Sequence, residues 1–129
     1  MNNYKDDYIQ YRIQKSDQAY SDAKSLASLE SWNGSINRLY YACYYIVSAL
    51  ILQKDLDSKT HSGLKTQFNF NFIKTGLIST EFGKLYSDLF DSRQKGDYGD
   101  LFDFDRETVE SLLEPVGDFI AEVKKNLQK

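Results

Sequence analysis

The chain has 129 residues, of which 41% are hydrophobic and 27% charged, and its formal net charge is −3. This length corresponds to one hydrophobic core, so we predict a single domain over residues 1–129. The acidic charge argues against sequence-blind binding of nucleic acid through a general basic field, although a local basic cleft is compatible with it. The polar N-terminus and the lack of a long apolar run argue against a signal peptide and a membrane span, and predict a cytoplasmic protein.

The first segment predicts a long amphipathic helix over residues 4–30. Apolar side chains recur there at helical spacing, in a modest stripe that begins with Tyr8 and Tyr11. Charged side chains fill the remaining positions. The polar sequence 31–35 then breaks the pattern and separates this helix from the next.

The second helix is predicted over residues 35–54, with Asn33 or Ser35 as its N-terminal cap. Apolar and aromatic residues occupy more than one face, so we expect this helix to be central in a bundle or shared with a second subunit. Cys43 lies within the apolar run and is predicted to be a buried, inert thiol. Arg38 lies within the same run.

A third helix is predicted over residues 62–75, with Thr60 or Ser62 as its cap and Gly76 just beyond its end. Phenylalanines alternate over residues 68–72, which is also compatible with a strand. We favour the helix, because a lone strand in a helical chain has no partner with which to pair.

Two more helices complete the chain, over residues 80–95 and 105–127. The sequence 97–100 is predicted to end the first of them, and Asp103 or Asp105 to cap the second. The whole pattern predicts an all-α fold, a bundle of about five helices. One cysteine and one histidine cannot form a Cys/His zinc site, and we predict neither a metal nor a cofactor.

Four short blocks, in order along nearly the whole chain, resemble stand-alone prokaryotic proteins of the HEPN family. They begin at Arg38 (Arg-Leu-Tyr-Tyr-Ala), His61 (His-Ser-Gly), Lys74 (Lys-Thr-Gly-Leu-Ile) and Arg93 (Arg-Gln-Lys-Gly-Asp-Tyr). The resemblance implies an antiparallel helical bundle that forms a homodimer. It also implies a connection with RNA, since many members are metal-independent ribonucleases, often toxins, and some pair with a small nucleotidyltransferase antitoxin.

The active members of that family carry an arginine and a histidine separated by four to six residues. After Arg93 the corresponding positions, 98–100, are Tyr, Gly and Asp, so the histidine is missing. RNA cleavage without a metal needs a base, an acid and a cation beside the phosphate. Arg93 is the candidate cation, Asp97 a base if it is desolvated, and Tyr98 a proton donor that is a poor base at neutral pH.

The candidate ligand-binding residues are Arg38, Tyr41, Tyr45 and Arg93, because guanidinium groups bind phosphate and tyrosine rings stack on bases. The same tyrosines also suit a core or a dimer interface, and Arg93 could instead form a structural ion pair with Asp97. His61 is interpreted as a residue of a helix-capping region, and a catalytic role would require the fold to bring it within hydrogen-bond reach of Arg93.

Three functions follow from these residues and the resemblance. The leading hypothesis is a binding module for RNA, a nucleotide or a nucleotidyltransferase-type partner, in a toxin–antitoxin or defence setting. The alternative is a metal-independent endoribonuclease with a non-standard acid–base set. A purely structural protein-interaction domain is the second alternative.

Overall fold

A computed structural model of the chain describes the backbone of residues 3–56, 58–98 and 103–127, and their side chains except those of residues 3 and 95–98. This part of the chain contains helices and no strand, which confirms the all-α prediction. A π-helical turn, Asn69–Ile73, continues the third helix. The five α-helices are α1 (Asn3–Ser28), α2 (Trp32–Gln53), α3 (His61–Phe68), α4 (Thr80–Tyr98) and α5 (Arg106–Leu127).

Helices α1 and α2 form an antiparallel pair joined by a short turn. Two serines fix the pair by donating to backbone carbonyls across it: Ser16 Oγ to Ala42 O at 2.7 Å and Ser35 Oγ to Ala23 O at 2.8 Å. Both serines are buried, and these bonds satisfy hydroxyl groups that would otherwise be costly to bury. Small residues such as Ala23 on α1 allow the close approach.

The core lies between α2 and its neighbours. Helix α5 packs beside α2 and runs antiparallel to α1, which it contacts where the Tyr20 hydroxyl donates to Leu113 O at 2.7 Å. Burial of each large apolar side chain stabilises the fold by roughly 1.5–3 kcal/mol. Cys43 is buried as predicted, and burial raises the pKa of its thiol. The α2 and α5 side chains with no exposed surface include Leu39, Ile46, Val47, Leu50, Val116, Phe119 and Val123.

Residues 61–73 are helical, as we favoured over a strand. The Thr60 hydroxyl accepts a hydrogen bond from Gly63 N at 2.8 Å, so Thr60 caps α3. Gly76 has a φ of 83°, which suits a glycine after a helix end. Phe68 and Phe72 face the core, whereas Phe70 is 62% exposed.

Three details of the predicted helices are wrong. Helix α2 begins at Trp32, so Asn33 and Ser35 lie inside it; Asn33 instead bonds the backbone N–H of Phe104 through its side-chain oxygen at 2.9 Å. Helix α4 continues to Tyr98, beyond the predicted end. Tyr8 and Tyr11 do not join the core side of α1 but are 61% and 56% exposed, because smaller residues fill the contact with α2.

Candidate functional site

Helix α2 presents a row of tyrosines on the side that faces α3 and α4. Their rings form a contiguous cluster: Tyr40 and Tyr41 meet edge to face at 5.2 Å between centroids, and Tyr44 and Tyr45 at 5.4 Å. Tyr41 also lies 6.0 Å from Tyr45 and joins the two pairs. Tyr40 is fully buried, whereas the other three are half-buried, so the row extends from the core to the surface.

Two arginines pack on these rings. The guanidinium carbon of Arg38, on α2, lies 4.9 Å from the Tyr41 centroid. That of Arg93, on α4, lies 5.3 Å from the Tyr40 centroid and 5.5 Å from that of Tyr41. Such cation–π contacts orient the planar guanidinium groups. The fold therefore brings two positively charged groups, which are distant in sequence, to the same tyrosine ring, that of Tyr41.

His61, the first residue of α3, also belongs to this cluster. Its ring stacks on Tyr44 at 4.3 Å and 13°, and it meets the Tyr41 ring edge to face at 5.9 Å. Its Nδ1 atom lies 2.7 Å from the Tyr40 hydroxyl oxygen. Thr60 caps the helix. The interpretation of His61 as a capping-region residue did not predict that its side chain contacts the tyrosines. The cap fixes the start of α3, and the imidazole turns toward the tyrosines.

Burial and charge set the protonation states in the cluster. Partial burial lowers the pKa of His61, and the nearby Arg93 charge lowers it further. Burial raises the pKa of Tyr40 well above its ordinary value, although Arg93 opposes the rise. At neutral pH the cluster thus combines a neutral imidazole, a protonated phenol and a permanent cation. The hydroxyl can donate to Nδ1 or accept from it, so it suits either neutral tautomer of His61.

An open groove of about 410 Å³ adjoins the cluster, and Tyr44 belongs to both. Lys15, on α1, places its ammonium 5.7 Å from the Tyr11 centroid and 5.8 Å from that of Tyr45. None of the described residues that line the groove is acidic, so it is locally aromatic and basic on a chain of net negative charge. Tyr8, Tyr11, Arg12, Tyr44, Tyr45 and Thr60 are among the residues that line it.

The four predicted ligand-binding residues, Arg38, Tyr41, Tyr45 and Arg93, lie together in the structure. For Asp97 and Tyr98, predicted to act with Arg93, only the backbone at the end of α4 is described, and their side chains lie outside the described residues. The ligand-binding residues predicted from the sequence did not include Tyr40 and Tyr44, and the ring contacts of His61 were not predicted. The tyrosines were visible as a row, but no spacing rule relates His61 to Arg93.

The described residues contain no group of three or more His, Cys, Asp or Glu side chains placed to hold a metal ion. Within that same part of the chain, no helix is both long and apolar enough to cross a membrane.

Comparison with known proteins decides the family. The HEPN domain family model matches residues 9–126. The chain belongs to the HEPN family. This HEPN chain is 37% identical to a UPF0332 protein of Thermotoga maritima over 98% of its own length and 96% of that protein's.

Two archaeal relatives carry names that mention a toxin. This HEPN chain is 30% identical to a Methanocaldococcus jannaschii protein named "Putative toxin MJ0142", over 89% of the chain and 78% of that protein. It is 29% identical to a second protein of that organism, named "Putative toxin MJ0605", over 94% and 90% of the two lengths. The predicted HEPN family membership is confirmed.

Proposed function

We propose that this HEPN protein is an RNA-binding module of the toxin type, which holds the phosphodiester backbone of single-stranded RNA at the cluster of Arg38, Arg93, Tyr41 and His61. The observation that carries the proposal is the convergence of two guanidinium groups on one tyrosine ring. Guanidinium donates paired hydrogen bonds that match the oxygens of a phosphate. Because the ring contacts already orient both arginines, less side-chain freedom is lost when they bind an anion.

The neighbouring groove supports RNA rather than a small inorganic anion as the ligand. Its tyrosine rings offer stacking surfaces, and base–aromatic stacking contributes about 1–3 kcal/mol per base without demanding a given sequence. The Lys15 ammonium lies 5.8 Å from the ring centroid of Tyr45 and 5.7 Å from that of Tyr11, so stacking surfaces and a positive charge are neighbours. A backbone phosphate at Arg93 and a base in the groove are compatible with one short strand.

The local charge also supports this ligand despite the net charge of −3. Arg12 lines the groove and Lys15 lies beside two of its tyrosines. Arg38 and Arg93 lie at the cluster, whereas the described groove lining holds no carboxylate. Binding would therefore depend on a restricted basic surface and weaken as salt rises, with a modest slope because few phosphates are contacted.

The toxin-type setting brings two partner proposals. We propose that the chain forms a homodimer and that a nucleotidyltransferase-type partner, encoded beside it, covers the cluster and inhibits it. The names of the two Methanocaldococcus jannaschii relatives support this setting. Light scattering of the pure chain, and its co-purification with the neighbouring gene product, test the two proposals separately.

Fluorescence anisotropy with a labelled single-stranded RNA tests RNA binding directly. We expect Arg93→Gln and Arg38→Gln each to weaken binding roughly tenfold or more, since each removes a charge-assisted hydrogen-bond donor. Arg106→Gln is the matched control, because Arg106 also packs on an aromatic ring, that of Trp32 at 5.1 Å, but lies away from the cluster. Equal affinity of all three variants and the wild type would contradict the proposal.

A further inference from the structure

We propose that His61 is the general base of an RNA-cleaving centre in this chain, with Tyr40 as its positioning residue. The inference rests on the proposed RNA site and extends it, from holding the phosphodiester to breaking it. It supplies from α3 the imidazole that is absent from positions 98–100 of α4. The substrate class is single-stranded RNA with a free 2′-hydroxyl group.

His61 and Arg93 contact the same two tyrosine rings. Both lie against the Tyr40 ring, His61 at 5.8 Å between centroids and Arg93 at 5.3 Å from its guanidinium carbon. Both also contact the Tyr41 ring. They come from different helices, so the bundle, and not the local sequence, brings a neutral base and a fixed cation to one place. Cleavage next to a phosphate needs both of these groups, and water supplies the proton for the leaving oxygen.

A hydrogen bond of 2.7 Å joins His61 Nδ1 and the Tyr40 hydroxyl. When Nδ1 carries the ring proton and donates it to the Tyr40 oxygen, the lone pair of Nε2 is available to accept a proton. The same bond persists after Nε2 is protonated, so it holds the ring in place throughout the transfer. Tyr40 is fully buried, while His61 is partly exposed, so substrate can reach the imidazole.

The surroundings of His61 keep its imidazole unprotonated at neutral pH. His61 is faced by Tyr40, Tyr41 and Tyr44 on α2 and by Arg93 on α4. Burial and the Arg93 charge both lower the pKa of His61, so the ring is in its base form at neutral pH. A base that is already deprotonated is ready to take the proton of a 2′-hydroxyl group.

The chemical step balances without another reactant. Nε2 of His61 takes the 2′-hydroxyl proton, the 2′-oxygen forms a bond to phosphorus, and the bond from phosphorus to the 5′-oxygen breaks. The leaving 5′-oxygen takes a proton from water, and the imidazolium returns its proton to solvent. Arg93 stabilises the negative charge that builds on the phosphorane oxygens. The products are a 2′,3′-cyclic phosphate and a 5′-hydroxyl end.

The test incubates the full chain with a short single-stranded RNA in EDTA and identifies product ends by mass spectrometry. We expect cyclic phosphate ends from the wild type, and a loss of rate of roughly 100-fold or more in His61→Gln, the usual contribution of acid–base catalysis. His61→Gln, purified identically, also controls for contaminating nuclease. Tyr40→Phe should slow cleavage and shift its pH profile, a change that a merely structural role would not produce.

A parallel binding measurement separates the two proposals. It uses the same RNA with 2′-deoxyribose throughout, which can bind but cannot react by this route. His61→Gln should lose far more of its cleavage rate on RNA than of its affinity for this strand, whereas Arg93→Gln should lose affinity for the strand itself. If the wild type binds it but leaves the RNA intact, or if His61→Gln cleaves at the wild-type rate, the catalytic role of His61 is wrong and the binding site remains. If the wild type binds neither strand, the proposed function fails first.

Discussion

Helix α2 has two sides that are built from different kinds of residue. One side carries aliphatic residues such as Leu39, Val47 and Leu50, which have no exposed surface and pack against α5 and α1. The other side carries tyrosines, of which Tyr40 is buried and the rest are half-buried, and they contact charged residues of α1 and α4. The same helix thus contributes to the core and to the candidate site.

The aliphatic and tyrosine sides of α2 differ in how strongly their contacts depend on side-chain orientation. Aliphatic burial stabilises the fold in proportion to area and is tolerant of orientation. The tyrosine side depends on oriented groups: a hydroxyl 2.7 Å from an imidazole nitrogen, and guanidinium groups stacked on rings. We therefore expect changes on the aliphatic side to affect the free energy of unfolding, and changes on the tyrosine side to affect mainly RNA binding and the pKa of His61.

The largest effect on stability is expected for Phe119→Ala in α5. Phe119 is fully buried, and its ring packs near those of Phe68, Phe82 and Tyr86. Deleting it should lower the free energy of unfolding by about 3–5 kcal/mol, because a cavity remains. Urea titration followed by circular dichroism measures the change.

The matched control is Phe70→Ala, since Phe70 is 62% exposed on the π-helical turn. It should change the free energy of unfolding by no more than about 0.5 kcal/mol. Comparable losses in both variants would mean that the core is not where the structure places it.

A smaller effect is expected for Thr60→Ala, which removes the cap of α3. The loss of the bond to Gly63 N should lower the free energy of unfolding by about 1 kcal/mol. Because the cap fixes the start of the helix that carries His61, RNA cleavage should fall as well. Ser62→Ala, at an exposed neighbouring position, is the control, and an equal loss of cleavage there would remove the special role of the cap.

The pH dependence of the free energy of unfolding reports on His61, which packs on the tyrosine side of α2. The pKa of His61 is lowered in the folded chain, so the unfolded chain binds more protons as the pH falls below the ordinary histidine value of 6.5. The His61 contribution is therefore complete above that value and is lost as the pH falls through the folded-state pKa. Urea titrations of the wild type should show this loss, and the corresponding titrations of His61→Gln should show a flatter dependence.

The smallest effect is on the pKa of His61 itself in Arg93→Gln. Removing the neighbouring positive charge should raise the pKa toward its ordinary value, while burial still keeps it lowered. His61 is the only histidine, so one imidazole signal in an NMR titration reports the change. Arg106→Gln should leave that signal unchanged, and an identical shift in both variants would place Arg93 too far away to matter.

The sequence predicts the helices far better than the site. Helical periodicity and the scarcity of proline and glycine predict five helices, because each repeats a local pattern. The caps of α2 were wrong, since Ser35 and Asn33 make their hydrogen bonds to distant residues, Ala23 and Phe104, that no local rule connects.

The site divides in the same way. Arg38, Tyr41 and Tyr45 lie within one helix, so their association is readable from the sequence, and the family block drew attention to Arg93. The position of His61 depends on how α3 packs against α2 and α4, a long-range consequence of the bundle. A residue interpreted as part of a capping region thus becomes the candidate base.

We propose that RNA binds to the tyrosine side of α2 and not to the rest of the surface. The NMR signal of the His61 imidazole during titration with the 2′-deoxy strand tests it most directly. We predict that this signal shifts and saturates together with the anisotropy of the strand, and that Arg93→Gln weakens both responses in parallel. A strand that binds with the same anisotropy curve while the His61 signal stays unchanged would contradict the account.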